Sequence, residues 1–199
     1  MTLRWAYIAA STLMIVSWVV FFAFFALRKR AAGGGKATKT DRLSIVGIVL
    51  QGLAYAAVWM LERPRFTPFV PLPGGLGLLP PILAAVLALV SLWLARAAIQ
   101  TLGREWSLEA RVVEGHRLAT AGPYRMVRHP IYTAMLGMLV AQGLVVSHWI
   151  GLLAGVAIFT LGTWIRVRSE EKLLRGQFGS EYEEYARRVP AVVPLRFGR

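Results

Sequence analysis

The chain has 199 residues, 56% of them hydrophobic, with 23 Lys+Arg against 10 Asp+Glu and no cysteine. High apolar content with only 17% charged residues excludes disorder, and the missing cysteines exclude disulfides, thiolate metal sites and a cysteine nucleophile. A net charge of +13 would ordinarily point to nucleic acid, but a chain this apolar reads as a membrane protein whose charge encodes topology, with no nucleic-acid partner.

The stretch from Trp5 to Leu27 carries no charge and is closed by Arg28-Lys29-Arg30. At about 1.5 Å per residue it can cross a hydrocarbon core of about 30 Å. No small-residue cleavage site accompanies it, so it reads as an anchor and not as a secretory signal. After a triglycine linker, 43–61 forms a second charge-free run. Pro and Gly then break the chain between Arg63 and Gly75. A third span is expected over 78–95, with Pro80-Pro81 in its first turn, where the missing N–H groups cost little.

Residues 96–130 are polar. From Ile131 to Ile165 the only side chain that ionises near neutral pH is His148. That run is too long for one crossing, and Ser147-His148 near its middle reads as a turn between two short antiparallel helices, 131–146 and 149–165. A re-entrant hairpin is the competing arrangement. The expected fold is therefore all-α: a polytopic bundle of five spans, because open strands are not tolerated in lipid. Residues 1–99 form an N-terminal transmembrane region. Residues 100–199 comprise a polar loop (100–130), the last two spans and a polar tail (166–199).

Basic residues orient the bundle. Six fall in 28–42, six in 96–130 and eight in 166–199, leaving only Arg4, Arg63 and Arg65 for the other side. By the positive-inside rule the N-terminus is expected outside and the C-terminus in the cytoplasm.

Chemistry is concentrated on the basic side. The loop carries Glu114-Gly115-His116-Arg117-Leu118, Gly122-Pro123-Tyr124 and Arg128-His129-Pro130-Ile131-Tyr132. Pro130 can open a helix and hold Arg128 and His129 at its N-terminus, where unpaired N–H groups attract anions; a basic membrane-flanking loop on lipid phosphates is the plainer alternative. In the tail, Arg166 with Glu170 and Glu171 with Arg175 stand four apart, as ion pairs on a helix surface do. Leu174, Phe178, Tyr182 and Tyr185 form a stripe that would pack this helix on the bundle or lay it on the bilayer, ended by Pro190. No G-x-S-x-G elbow, H-E-x-x-H, P-loop or Rossmann fingerprint is present.

The ordered set Gly115-His116-x-Leu118, Gly122-Pro123-Tyr124, Arg128-His129-Pro130-x-Tyr132, Arg166 with Glu170-Glu171, and Phe178-Gly179-x-Glu181-Tyr182-x-x-Tyr185 resembles the isoprenylcysteine carboxyl methyltransferase family, prokaryotic members included. That family sits in a wider group of integral-membrane methyltransferases with the phospholipid N-methyltransferases. The resemblance covers about residues 100–197. It implies an S-adenosyl-L-methionine pocket at the cytoplasmic face, closed by the tail, with S-adenosyl-L-homocysteine as product. By position, His116, Leu118 and Ala119 would line the cofactor. Tyr124, His129, Pro130 and Tyr132 would complete its walls, Glu170 would hold its cationic part, and Arg166 would face the methyl acceptor. The cofactor's own carboxylate would suit Arg128 or the N–H groups after His129.

A lipid-like acceptor fits this architecture, its tail entering from the bilayer among membrane lipids. Carboxyl methylation is the favoured reading, because a carboxylate needs only a cation such as Arg166 to place it. The alternatives are phospholipid or other amine N-methylation on the same scaffold, a non-catalytic membrane protein, and a reductase using a nicotinamide cofactor.

Overall fold

A computed structural model of the protein describes residues 2–31, 37–40, 43–70, 74–103, 111–113 and 118–194. Among the described residues, six α-helices follow one another: α1 (Thr2–Ala31), α2 (Leu43–Met60), α3 (Leu79–Leu102), α4 (Pro130–Val146), α5 (Trp149–Phe178) and α6 (Ser180–Arg188). The all-α expectation holds, with one small addition. Strands β1 (Ala37–Thr40) and β2 (Arg111–Val113) pair antiparallel, Ala37 opposite Val113.

Four of these helices are long and apolar enough to cross a membrane, within Leu3–Phe24, Leu43–Met60, Leu76–Leu102 and Trp149–Phe178. Their outer faces carry large apolar side chains such as Val19, Phe22, Val49, Leu89, Trp93, Leu153 and Leu161, all exposed. Their inner faces carry many small ones. Ala84, Ala88 and Ala95 of α3 are fully buried, and with α1 they pack on Ala134, Met138 and Ala141 of α4. This distribution suits lipid as solvent, where helices associate through close approach of small residues and large side chains lose nothing by facing outward.

The α2–α5 contact is the closest. A Cβ placed on Gly151, Gly155 or Gly162 would lie 2.8 Å from Leu61 Cβ, 3.1 Å from the Ala54 carbonyl and 2.9 Å from the Gly47 carbonyl, respectively. The two helices are therefore antiparallel with backbones nearly touching. α4 lies at the centre, buried against α1 and α3 on one side and against α2 and α5 on the other.

Ser147-His148 turns the chain as expected, and the hairpin extends as far as α2 does. His148 N–H donates to the Leu61 carbonyl at 2.7 Å, and Arg63 N–H donates to the Val146 carbonyl at 3.0 Å. Arg63 itself is buried there. Its guanidinium donates to the carbonyls of Leu144, Val145 and Ser147 at 2.8, 2.8 and 2.6 Å, and to Thr67 at 3.0 Å. A residue expected only to count toward loop charge thus caps the end of α4. At the opposite end of the bundle, β1 pairs with β2, joining the 28–42 and 96–130 loops that the charge count had placed on one side.

Two helix boundaries differ from expectation. α3 runs on to Leu102 because Arg96 points outward while Ala95, Ala98 and Ile99 keep the buried spacing; Gly103, at φ 57°, then stops it. α5 does not end at Ile165. It continues through the charged residues to Phe178 as one 30-residue helix, breaks at Gly179 with φ 51°, and resumes as α6. The tail helix is thus an extension of the last apolar segment plus a short separate turn.

Candidate functional site

Four helical pieces meet at the loop-rich end of the bundle: the start of α4, the charged extension of α5, α6 and the Gly122–Arg125 3-10 turn. Pro130 is the first residue of α4, as its missing N–H favours, which leaves His129 as the N-cap. The chain after α6 lies alongside it. Arg128 N–H donates to the Pro190 carbonyl and His129 N–H to the Ala191 carbonyl, both at 2.8 Å, and Thr133 Oγ1 donates to the Val192 carbonyl at 2.5 Å.

Two adjacent carboxylates organise the cluster. Glu170 accepts from the Tyr132 hydroxyl, faces His129 Nδ1 at 3.3 Å and pairs with Arg166 Nη2 at 3.6 Å. Glu171 takes both Nε and Nη2 of Arg128 on one oxygen, at 3.0 and 2.6 Å. The same oxygen faces His129 Nε2 at 3.3 Å, and its other oxygen meets Arg175 at 3.0 Å. The two i,i+4 pairs read from sequence both form. Neither is a surface pair, because Arg166 and Glu171 are buried.

His129 bridges the carboxylates with both ring nitrogens, an arrangement that uses two N–H donors and therefore the imidazolium. Burial opposes that charge, but the hydrogen bonds and charges of Glu170 and Glu171 outweigh it and hold the pKa above its ordinary value. Burial, and after it the charges of Glu170 and Tyr185, push the Tyr124 phenol well above its ordinary value, so Tyr124 stays neutral.

Arg166 extends from α5 toward α2. Its guanidinium lies 4.9 Å from the centre of the Tyr132 ring, and its Nη1 donates to Gln51 Oε1 at 3.2 Å. Arg128 is engaged within the protein: besides Glu171, its Nη1 donates to the carbonyls of Ala186, at 3.0 Å, and Val189. Tyr185 donates to the Tyr124 carbonyl at 2.7 Å, so α6 closes over the 3-10 turn. The stripe Leu174, Phe178, Tyr182, Tyr185 ends in two buried tyrosines that seat the tail on the bundle.

The structure brings His129, Pro130, Tyr132, Arg166 and Glu170 together and sets Arg128 beside them. Leu118 lines a groove of about 380 Å³ with Thr120, Arg125 and α6 residues including Glu181, Tyr185 and Arg188; Ala119 follows it, half-buried. His116 lies outside the described residues. Sequence reasoning missed Gln51, whose only signal was an amide inside an otherwise apolar run, and Thr163, which accepts from its Nε2 at 2.9 Å.

The model of the isoprenylcysteine carboxyl methyltransferase family matches residues 83–176. This stretch, just under half of the chain, is similar to that family. Among similar proteins, protein-S-isoprenylcysteine O-methyltransferase B of Arabidopsis thaliana is 35% identical over 104 residues, covering 51% of this chain and 53% of the relative. A probable protein-S-isoprenylcysteine O-methyltransferase of Oryza sativa subsp. indica is 33% identical over 116 residues, 55% of this chain and 59% of the relative. Methanethiol S-methyltransferase 2 of Bradyrhizobium diazoefficiens is 34% identical over 91 residues, 44% of this chain and 32% of the relative. The chain thus spans between a third and three-fifths of these relatives. The matched segment takes in most of α3, all of α4 and nearly all of α5, with Arg128, His129, Tyr132, Arg166, Glu170 and Glu171. It leaves out Gln51, Tyr182 and Tyr185.

Proposed function

We propose that the protein is an integral-membrane, S-adenosyl-L-methionine-dependent methyltransferase acting on the carboxylate of an isoprenylcysteine-like or other lipid acid. One observation carries the choice of acceptor. Among the described residues, both carboxylates of the cluster are met by cations, and the histidine between them uses both nitrogens on them. Among the described residues of the cluster, no idle base stands ready. A carboxylate acceptor is already ionised at neutral pH, whereas an amine or a thiol must first lose a proton.

The residues fit the cofactor. Glu170 is held on one side by His129, Tyr132 and Arg166, yet 24% of its side chain stays open, and a carboxylate so held suits a sulfonium and an ammonium group. Bound S-adenosyl-L-methionine would supply the electrophilic methyl group. Glu170 would orient it, with Tyr132, His129, Pro130 and Tyr124 as walls and Leu118, Ala119 and His116 toward the loop. Arg128 would act by fixing the tail through Glu171. Arg166 would place the acceptor carboxylate, and the seated tail would keep water out, since alignment and exclusion of water are what a displacement asks of a protein. The acceptor's apolar part would enter from the bilayer. α4 would be the fifth crossing, with the N-terminus outside and this site in the cytoplasm.

A thiol acceptor is the second reading, favoured by the relative named for methanethiol S-methylation. Incubating purified protein with methyl-labelled donor and total lipid extract, followed by mild base, separates the chemistries. Base-labile label released as methanol is expected; stable label would point to a thioether or an N-methyl group and end the carboxylate reading. Saturable binding of S-adenosyl-L-homocysteine, with no response to NADPH, is the companion result.

A further inference from the structure

We propose that Gln51 is a positioning residue for Arg166, and that its neutral amide gives the site its preference for an anionic methyl acceptor. The inference rests on the reading of Arg166 as the acceptor-facing cation. Gln51 belongs to α2, outside the segment matched by the family, and is 2% exposed. Its amide is tied at both ends: Oε1 accepts from Arg166 Nη1 at 3.2 Å, and Nε2 donates to Thr163 Oγ1 at 2.9 Å. Thr163 precedes Arg166 by three residues on α5, so the donor and acceptor ends of the amide meet neighbouring turns of one helix. The Thr163 contact fixes which end of the amide faces the guanidinium.

α2 also supplies the space. A Cβ on Gly47, one turn before Gln51, would lie 2.4 Å from Arg166 Cγ; the arginine stem crosses α2 through that gap. Clearance at Gly47 and a hydrogen bond at Gln51 together aim the guanidinium along the Tyr132 ring, 4.9 Å from its centre.

The type of partner matters. Arg128 is met at 2.6 Å by a carboxylate, which orients the guanidinium and cancels its charge, as suits a strap. Arg166 stands 3.6 Å from Glu170 as well, and at Gln51 an amide orients it without adding a second negative charge. A buried amide in an apolar span is costly unless its groups are matched, and here both are matched by residues of the site. The half of the chain that carries no family signature would thus set how strongly the site favours an acid.

The test is binding, read by calorimetry in detergent, of an S-prenylated N-acetylcysteine and of its methyl ester to wild type, Gln51→Glu and Gln51→Met. S-adenosyl-L-homocysteine serves as the control for an intact fold. Wild type should bind the acid about ten-fold tighter than the ester, as a charge-assisted contact gives. Gln51→Glu, the same shape with a charge, should bind the two equally, and Gln51→Met should keep about a three-fold preference, each with control affinity within about two-fold of wild type. An acid preference unchanged in both variants assigns Gln51 to packing and overturns the inference alone. Wild type without any preference overturns the acceptor reading and the inference together.

Discussion

His129 and Glu171 meet through Nε2 and Oε1 at 3.3 Å, on the same carboxylate oxygen that takes two nitrogens of Arg128. The histidine's other nitrogen faces Glu170, so it serves the fold as an imidazolium. Its pKa is raised in the folded protein over about 6.5 in an unfolded chain. The sign follows: the stabilisation is full below about pH 6.5 and fades as pH rises through the folded-state value. Thermal unfolding in detergent should therefore show the wild type losing stability as pH rises above about 6.5, and His129→Gln should flatten that slope. A slope unchanged in His129→Gln would mean that the histidine is neutral.

Arg128 and Glu171 are both largely buried, with side chains 12% and 8% exposed. Removing Arg128 leaves Glu171 with only His129 and Arg175, so the cost should lie below the roughly 3–5 kcal/mol of a buried charge left wholly unpaired. Arg128→Ala also strips the donor from the Ala186 and Val189 carbonyls. It should lower the melting temperature and open the chain after Arg188 to limited proteolysis. Arg128→Lys should rescue little, because an ammonium cannot reproduce the planar fork. A protease-resistant tail in Arg128→Ala would show that the tail is held by its tyrosines instead.

Gly47→Ala tests the passage of Arg166 past α2. The added Cβ would lie 2.4 Å from Arg166 Cγ and 2.7 Å from the Gly162 carbonyl, and the second contact is backbone that cannot swing away. We expect a loss of about 1–3 kcal/mol together with impaired methyl transfer. By contrast Gly52→Ala meets nothing within 4 Å and should leave both unchanged.

The two functional charges should separate in ligand assays. Glu170→Ala is expected to weaken S-adenosyl-L-homocysteine binding by ten-fold or more, on the order of 1.4 kcal/mol. Arg166→Ala should leave that affinity within about two-fold and lower turnover instead. Full turnover in Arg166→Ala would remove it from the acceptor side.

Arg63→Met would leave the carbonyls of Leu144, Val145, Ser147 and Thr67 without this donor. Buried unsatisfied groups cost about 1–3 kcal/mol each, so the bundle should be destabilised by at least about 3 kcal/mol. Donor affinity, measured well below the melting temperature, should hold, since this end of α4 is remote from His129.

Much of the fold is legible in the residues, because charge-free length and the placement of Pro, Gly and the Ser147-His148 turn are local signals. Helix ends in polar sequence are not. A run such as Arg166-Val167-Arg168-Ser169 reads as the end of a span, yet backbone bonding continues wherever the buried face persists, here through Arg166, Ser169 and Glu171. Arg63 reads as loop charge because the carbonyls it caps lie some 80 residues away. In the site, the i,i+4 pairs could be read directly, and the resemblance supplied His129, Tyr132 and Glu170. The contribution of Gln51 needs the knowledge that α2 lies against α5, which only small residues at 47, 151, 155 and 162 hint at.

The continuity of α5 sets a mechanical condition on the whole protein. One helix carries both the glycines that lock against α2 and the carboxylates that hold the site, so membrane packing and chemistry share a single screw axis. Inserting one residue between Gly162 and Arg166 would turn Glu170 and Glu171 by about 100° and raise them by about 1.5 Å. An insertion of seven would restore the angle to within about 20° but lift them by about 10.5 Å. Neither angle nor height can drift alone, so the segment linking span to site is under a strict length constraint.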